Sequence, residues 1–519
     1  MTYFDALYLF LMLPVLLAVY QLLPKRFRWI SLLAASLLFY WSLSGRLIVW
    51  VLLASVWTWL FGLLIARSAA ERKAGGAKKT LPLSPAALRN IAVAGLLGTL
   101  AVLKYTGFIE MNIGRLIRLA NPAYQITWKN FALPIGISFY TLDAVGYLVD
   151  ISWEKMQPER SPFRMLLYLS FFPKVMEGPI LSGGALREAL FAGESVRSGN
   201  LAHGSIRICW GLFKELVIAN RLAIPVNMIF DHYTDYHGAV TAVSGILYAL
   251  QLYMDFSGTM DVVIGSAELF GIRMPENFSQ PFFAKNASEF WRRWHISLGV
   301  WFRTYIFYPV SLSKPVMKWN LYSRKKYGRY VMMLGTSAMC LFPVWLANGL
   351  WHGPQWNYIF YGMYYFVILM LETALGPVRK KAEKRLRHAK RMHLWNAFLI
   401  LKTWIVIFTG EMFFRANGVR AGFSMFASMF RGFSLRTLTD GTMLRMGLSE
   451  TGFTVAFLGI LVVLIYDICQ EKHLIPDGRL GRWETPVRWT LYYALIFAVF
   501  IFGAYGAGYQ KVDMIYAGF

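Results

Sequence analysis

The chain has 519 residues, of which 57% are hydrophobic, 17% aromatic and only 16% charged, with a formal net charge of +25. Soluble proteins average about 45–50% apolar and about 25% charged residues, so repeated apolar runs argue for a polytopic helical membrane protein and against a string of soluble domains. The cations gather between those runs, at Lys25 to Arg28, Arg67 to Lys79 and Arg379 to Arg391, the pattern of cytoplasmic loops facing anionic lipid; no basic stretch carries a nucleic-acid recognition motif.

The whole chain, 1–519, reads as one integral-membrane, all-α domain, with basic cytoplasmic loops over 67–90 and 377–394 and a C-terminal tail over 506–519. The first apolar stretch, Tyr3–Leu23, is followed rather than preceded by positive charge, so it reads as a retained helix with an external N-terminus. Further candidate spans follow at Trp29–Leu43, Leu47–Ala66, Ile91–Ile109, Ala132–Ile151, Met165–Ile180, Ile206–Phe230 and Ala239–Phe270. A helical region over Phe290–Leu312 precedes Val331–Leu350, Tyr358–Leu375, Trp395–Phe414, Phe453–Ile468 and Trp489–Tyr505. Hydropathy predicts roughly 11 to 14 transmembrane or re-entrant helices. The segment Arg415–Gly452 reads as external or interfacial. Cys209, Cys340 and Cys469 lie far apart in apolar sequence, without disulfide or metal spacing.

Ionisable groups inside apolar runs cost roughly 2.5–3.5 kcal/mol each on insertion scales and mark sites to inspect. Asp255 and Ser257 lie in the run Tyr253 to Gly258, with Asp261 beyond; Arg292 and Arg293 are the expected partners of the two aspartates. Lys174 and Glu177 lie in Phe171 to Ile180, where Pro173, Gly178 and Pro179 break the helix into a turn expected to line a cavity. The pair, three residues apart, is placed to form an ion pair. Asn286-Ala-Ser-Glu289 reads as a helix N-cap with Glu289 at the box position. A Trp- and Arg-rich stretch follows, containing His295.

After Tyr330 an apolar helix ends in Asn348-Gly-Leu-Trp-His352-Gly-Pro354. Asn348 and His352 share a face, and Gly353 with Pro354 ends the helix, leaving the imidazole at a terminus. Neutral imidazole is a competent general base for an alcohol, and Asn348 or His295 is placed to orient it. Two histidines without a nearby carboxylate make a poor metal site, so no metal is expected.

YMDFSGTMDVVIG, NFSQPFFAKNASEFWRRWHISLGVWFR and LANGLWHG resemble motifs of the membrane-bound O-acyltransferase family, in its bacterial branch of alginate O-acetyltransferases and teichoic-acid D-alanyltransferases. LPIGISFYT, FFPKVMEGPI and FFRANGVRAGFSMF extend the likeness over most of the chain. The resemblance implies helices around a central funnel in a bacterial plasma membrane. The family's invariant histidine falls on His352 and the branch's second histidine on His295. It implies a thioester donor, acyl-CoA or an acyl-carrier protein, arriving from the cytoplasm, and a hydroxyl acceptor from outside, with no resident cofactor. After Pro309, VSLSKPVMKWN stands where the alginate branch has a Gly-Gly-Asn-Arg stretch, a departure that bears on the acceptor. The tail VDMIYAGF resembles the aromatic-Tyr-Phe tail of this branch, which makes Tyr516 a candidate acyl relay to an extracytoplasmic transferase.

On this reading His352 deprotonates the acceptor hydroxyl, with His295 and Asn348 assisting, while Lys174, Arg292 and Arg293 are candidates for the donor's phosphates. Asp255, Ser257 and Glu177 support the cavity. Acetyl transfer to an exported polysaccharide is the leading expectation, and D-alanyl transfer to teichoic acid the alternative. A transporter without chemistry is the reading from another class, but the chain lacks the inverted repeats that would mark one.

Overall fold

The computed structural model describes residues 1–74, 81–181, 183–385, 389–475 and 485–505. It is helical, with no strand among the described residues. Seven described helical segments are long and apolar enough to cross a membrane, or eight if the bent pair Trp356–Ala374 and Gly376–Arg385 forms one span. Other expected spans take shorter forms, among them Ile137–Ser152 and Pro162–Ser170. The segment Lys25–Lys73 contains the expected spans Trp29–Leu43 and Leu47–Ala66 as helices Arg28–Ser44 and Ile48–Lys73, meeting where Gly45 adopts φ 51°. Helix Thr485–Phe502 leaves Phe497, Phe500 and Ile501 exposed, as lipid-facing residues are.

The chain divides into two compact units. The first comprises Met1–Ile208 with Met260–Pro275. Its centre is helix Ile137–Ser152, almost every residue of which is buried. Such a helix has no polar face to give to solvent, so its buried aspartates, Asp143 and Asp150, need partners, and Asp143 is the deeper of the two. The buried Lys174 supplies an ion pair, and the Leu181 backbone N–H donates to the other carboxylate oxygen at 2.9 Å. Lys174 thus pairs with Asp143 and not, as its spacing suggested, with Glu177. Two glycines let this turn sit so close: a Cβ on Gly136, at φ 75°, would lie 1.8 Å from the Val175 carbonyl oxygen, and one on Gly178 2.2 Å from Lys174 Cα. The broken helix at Phe171–Ile180 is therefore covered by protein, the condition for irregular backbone at membrane depth. Asp261 also finds a partner outside the expected pair, accepting from Arg207 Nε at 3.1 Å.

The second unit comprises Cys209–Thr259 and the chain from Glu276 onward. Between Ala287 and Ser311 it makes only short helical pieces, none long enough to span. The long segment Lys314–His352 reverses direction at Gly328, whose φ of 84° and ψ of 174° are not helical. Trp319 Nε1 donates to the Met332 carbonyl at 3.3 Å, whereas thirteen residues of straight helix would separate them by about 20 Å. The apolar limb then runs antiparallel to Trp356–Ala374: Tyr330 donates to the Ala374 carbonyl at 2.6 Å near one end, and Gly349 and Gly362 bring the backbones together near the other.

Candidate active site

His352 is the last residue of its helix and is buried. Its imidazole stands in an aromatic box. The Trp351 and Phe414 ring centroids are each 4.9 Å away, Tyr361 is 5.7 Å away at 87°, and Tyr358 is 6.4 Å away. Four aromatic walls from three elements hold the ring plane and exclude bulk water. Asn348 lies one turn earlier on the same helix, and its Oδ1 is buried without a donor from the described protein groups. That oxygen has capacity for an N–H or O–H from a ligand.

His295 sits at the start of helix Ile296–Phe302 with φ 45° and ψ 54°, a left-handed conformation costing a non-glycine residue of order 1–3 kcal/mol. Asn277 fixes this turn. Its backbone carbonyl accepts from Ile296 N at 3.0 Å and its Oδ1 accepts from Ser297 N at 2.9 Å. The same Oδ1 lies 3.4 Å from His295 Nδ1, and because an amide oxygen only accepts, Nδ1 carries the proton and Nε2 the lone pair. Phe256 packs at right angles to the ring at 4.8 Å. Burial pushes the His295 pKa down to about 3, so the imidazole is neutral at ordinary pH. The Trp351 indole lies 5.7 Å from His295 and 4.9 Å from His352, so both histidines pack against one shared ring.

The remaining expected residues fall in different settings. Asn286 accepts from Glu289 N at 2.9 Å, the N-cap the sequence indicated. Glu289 in turn holds Arg293, which also makes a two-pronged pair with Glu471 at 2.6 and 3.1 Å. Arg293 is therefore matched by carboxylates from its own helix and from Glu450–Glu471, not by Asp255 or Asp261. Arg292 is exposed and contacts the Ser288 hydroxyl. Ser257 accepts from Lys214 Nζ at 3.2 Å, and Tyr253 donates to Asp467 at 3.0 Å, so the helix carrying Asp255 is braced on both sides of that buried residue. Lys174 and Glu177 belong to the first unit, with the Lys174 ammonium occupied by Asp143. Tyr516 and the rest of 506–519 lie outside the described residues.

Sequence reasoning missed two residues. Asn277 opens a motif but gives no periodicity to mark it. Glu411 is the sole acidic residue between Glu383 and Asp440, in an apolar run, and that isolation was its signal. Among the described residues no group of three or more His, Cys, Asp or Glu side chains has the arrangement of a metal site.

Residues 159–416, which include both histidines, Asn348 and Glu411, match the sequence model of the membrane-bound O-acyltransferase family. The chain is 28% identical over 476 residues to the probable alginate O-acetylase AlgI of Azotobacter vinelandii, covering 91% of this chain and 85% of that protein. It is 26% identical to the peptidoglycan O-acetyltransferase of Helicobacter pylori, over 76% of this chain and 77% of that one. It is 27% identical to the teichoic acid D-alanyltransferase of Bacillus subtilis, over 51% of this chain and 65% of that one. A multi-pass helical protein with a buried histidine at a helix end, matching these acyltransferases, belongs to the membrane-bound O-acyltransferase family.

Proposed function

We propose that this acyltransferase moves an acetyl group from a cytoplasmic thioester, acetyl-CoA or a carrier protein, to a hydroxyl of an exported polysaccharide at the bacterial cell surface. The observation that carries the reading is the placement of His352, a buried helix-terminal imidazole boxed by Trp351, Tyr358, Tyr361 and Phe414. The imidazole takes the proton as the acceptor oxygen attacks the thioester carbonyl. The tetrahedral adduct then expels the thiolate, which recovers the proton from the imidazolium, so the products are an ester and a thiol. Asn348 orients the acceptor through its unsatisfied oxygen. His295 acts as a neutral group held in one tautomer, packed against Trp351, the ring that also contacts His352. Arg292, which binds no carboxylate among the described residues, is the candidate for the donor's phosphates; Lys174 and Arg293 are held by carboxylates. Tyr516 remains the candidate relay to an extracytoplasmic transferase.

The O-acetylases align over more of the chain than the D-alanyltransferases do, 91% against 51% in the pairs above, which favours acetyl over D-alanyl as the transferred group. Mass spectrometry of the surface polymer from cells with and without the protein tests the reading. A polymer ester present in wild type and lost in His352→Ala, at equal membrane level of protein, is the expected result. Ester retained in His352→Ala refutes it, and an ester of D-alanine identifies the alternative donor.

A further inference from the structure

Glu411 is a carboxylate inside a membrane-crossing helix, 2% exposed, in a position for which the transfer reaction as derived has no use. A buried carboxylate costs several kcal/mol unless it is bonded, and it persists where it holds something in place. What it holds is Tyr361, whose hydroxyl donates to Glu411 Oε1 at 3.0 Å. Tyr361 is the wall of the box that stands at right angles to His352. Phe414, one helical turn beyond Glu411, is another wall, and its ring lies 4.9 Å from both Tyr361 and His352. One helix therefore controls two of the surfaces against the imidazole, Phe414 by packing and Tyr361 by a hydrogen bond. Trp291 and Tyr365 also pack on Tyr361, at 6.2 and 4.9 Å, through ring contacts that set no direction for the phenol hydroxyl.

We infer that Glu411 is a positioning residue of the acyl-transfer centre, acting through the Tyr361 hydroxyl to fix the plane of the His352 imidazole. The inference rests on His352 being the general base. Misplacing a reacting group by about 1 Å can cost about a hundredfold in rate, so a phenol freed to swing is a kinetic defect before it is a folding one.

The test measures the initial rate of surface-ester accumulation after induction of the full-length chain, per amount of folded protein recovered in detergent. Tyr361→Phe and Glu411→Leu are each expected to slow the rate about ten- to a hundredfold. Glu411→Gln, whose amide oxygen still accepts from the phenol, should stay within about threefold of wild type. The double variant Tyr361→Phe/Glu411→Leu should be no slower than the worse single, because both changes remove one interaction. Wild-type rates in Tyr361→Phe and Glu411→Leu, a Glu411→Gln variant as slow as Glu411→Leu, or multiplying defects in the double variant would each overturn the inference. His352→Ala measured alongside separates the two readings: if it abolishes the ester while Tyr361→Phe and Glu411→Leu keep wild-type rates, the positioning role fails while the base stands, and if it retains ester the function itself fails.

Discussion

Gly362→Ala is a small change with a large expected effect, because the seam it enters is closed by backbone. A Cβ at this position would lie 2.2 Å from the Trp345 carbonyl oxygen and 3.2 Å from Gly349 N, both on the helix that ends in His352. Ordinary contact begins near 3.4 Å, so the two helices must separate by about 1.2 Å where they cross. Neither obstructing atom is the end of a flexible side chain that can turn away. Overpacking of this kind costs about 1–3 kcal/mol of stability. The larger consequence is kinetic, since His352 moves with one helix and Tyr361 with the other, and a shift of about 1 Å can cost about a hundredfold in rate. The assay is the rate of surface-ester formation per folded protein, with recovery from a gel-filtration column as the stability measure. Gly98→Ala is the control: it sits within a helix with nothing inside 4 Å of the added methyl, and should leave both measures at or slightly above wild type. A Gly362→Ala protein that works within twofold of wild type would refute the claim that the seam sets the geometry of the site.

Lys174→Met should cost about 3–5 kcal/mol by stranding the buried Asp143 carboxylate, and adding Asp143→Leu should recover most of the folded yield. An active double variant would show Lys174 to be a brace, whereas a folded but inactive one would return it to donor binding. For His295, the folded pKa of about 3 lies below the unfolded value of about 6.5, so the unfolded chain binds more protons between those limits. Its contribution to stability is full above about pH 6.5 and is lost as pH falls towards 3, at no more than about 1.4 kcal/mol per pH unit. The fall in melting temperature between pH 7 and pH 5 should therefore be smaller in His295→Gln than in wild type, and an unchanged fall would contradict the assignment.

Much of the helical plan was legible because membrane helices announce themselves by composition, and because Gly353 and Pro354 mark the end of the His352 helix in the sequence. The Asn286 cap was equally local, a side chain and an N–H three residues apart. Ion-pair partners were another matter. Lys174 has Glu177 beside it in sequence and Asp143 beside it in space, and spacing along a chain cannot rank a neighbour three residues away against one thirty-one away. Arg293 went to Glu471 and Asp261 to Arg207 for the same reason. The reversal at Gly328 does lie in a basic stretch, Arg324 to Lys326 with Arg329, but charge alone does not distinguish a turn from a solvated helix, and the residues on both sides are helical. Asn277 was hidden because its work is done through backbone N–H groups, which leave no trace in side-chain chemistry.

The contacts of the second unit differ in how much chain they span. Those around the two histidines are shorter-range, with 18 residues between His295 and Asn277 and 50 between Tyr361 and Glu411. The braces behind them are long-range, with 214 residues between Tyr253 and Asp467 and 178 between Arg293 and Glu471. Asp467 and Glu471 stand one turn apart on a single helix face, so one late-synthesised helix delivers both. During insertion the walls can associate while that helix is still inside the ribosome, since nearby segments close at lower entropic cost. Its arrival then latches the segments bearing Tyr253 and Arg293 together, and the chain reaches a working shape only after most of it has entered the bilayer.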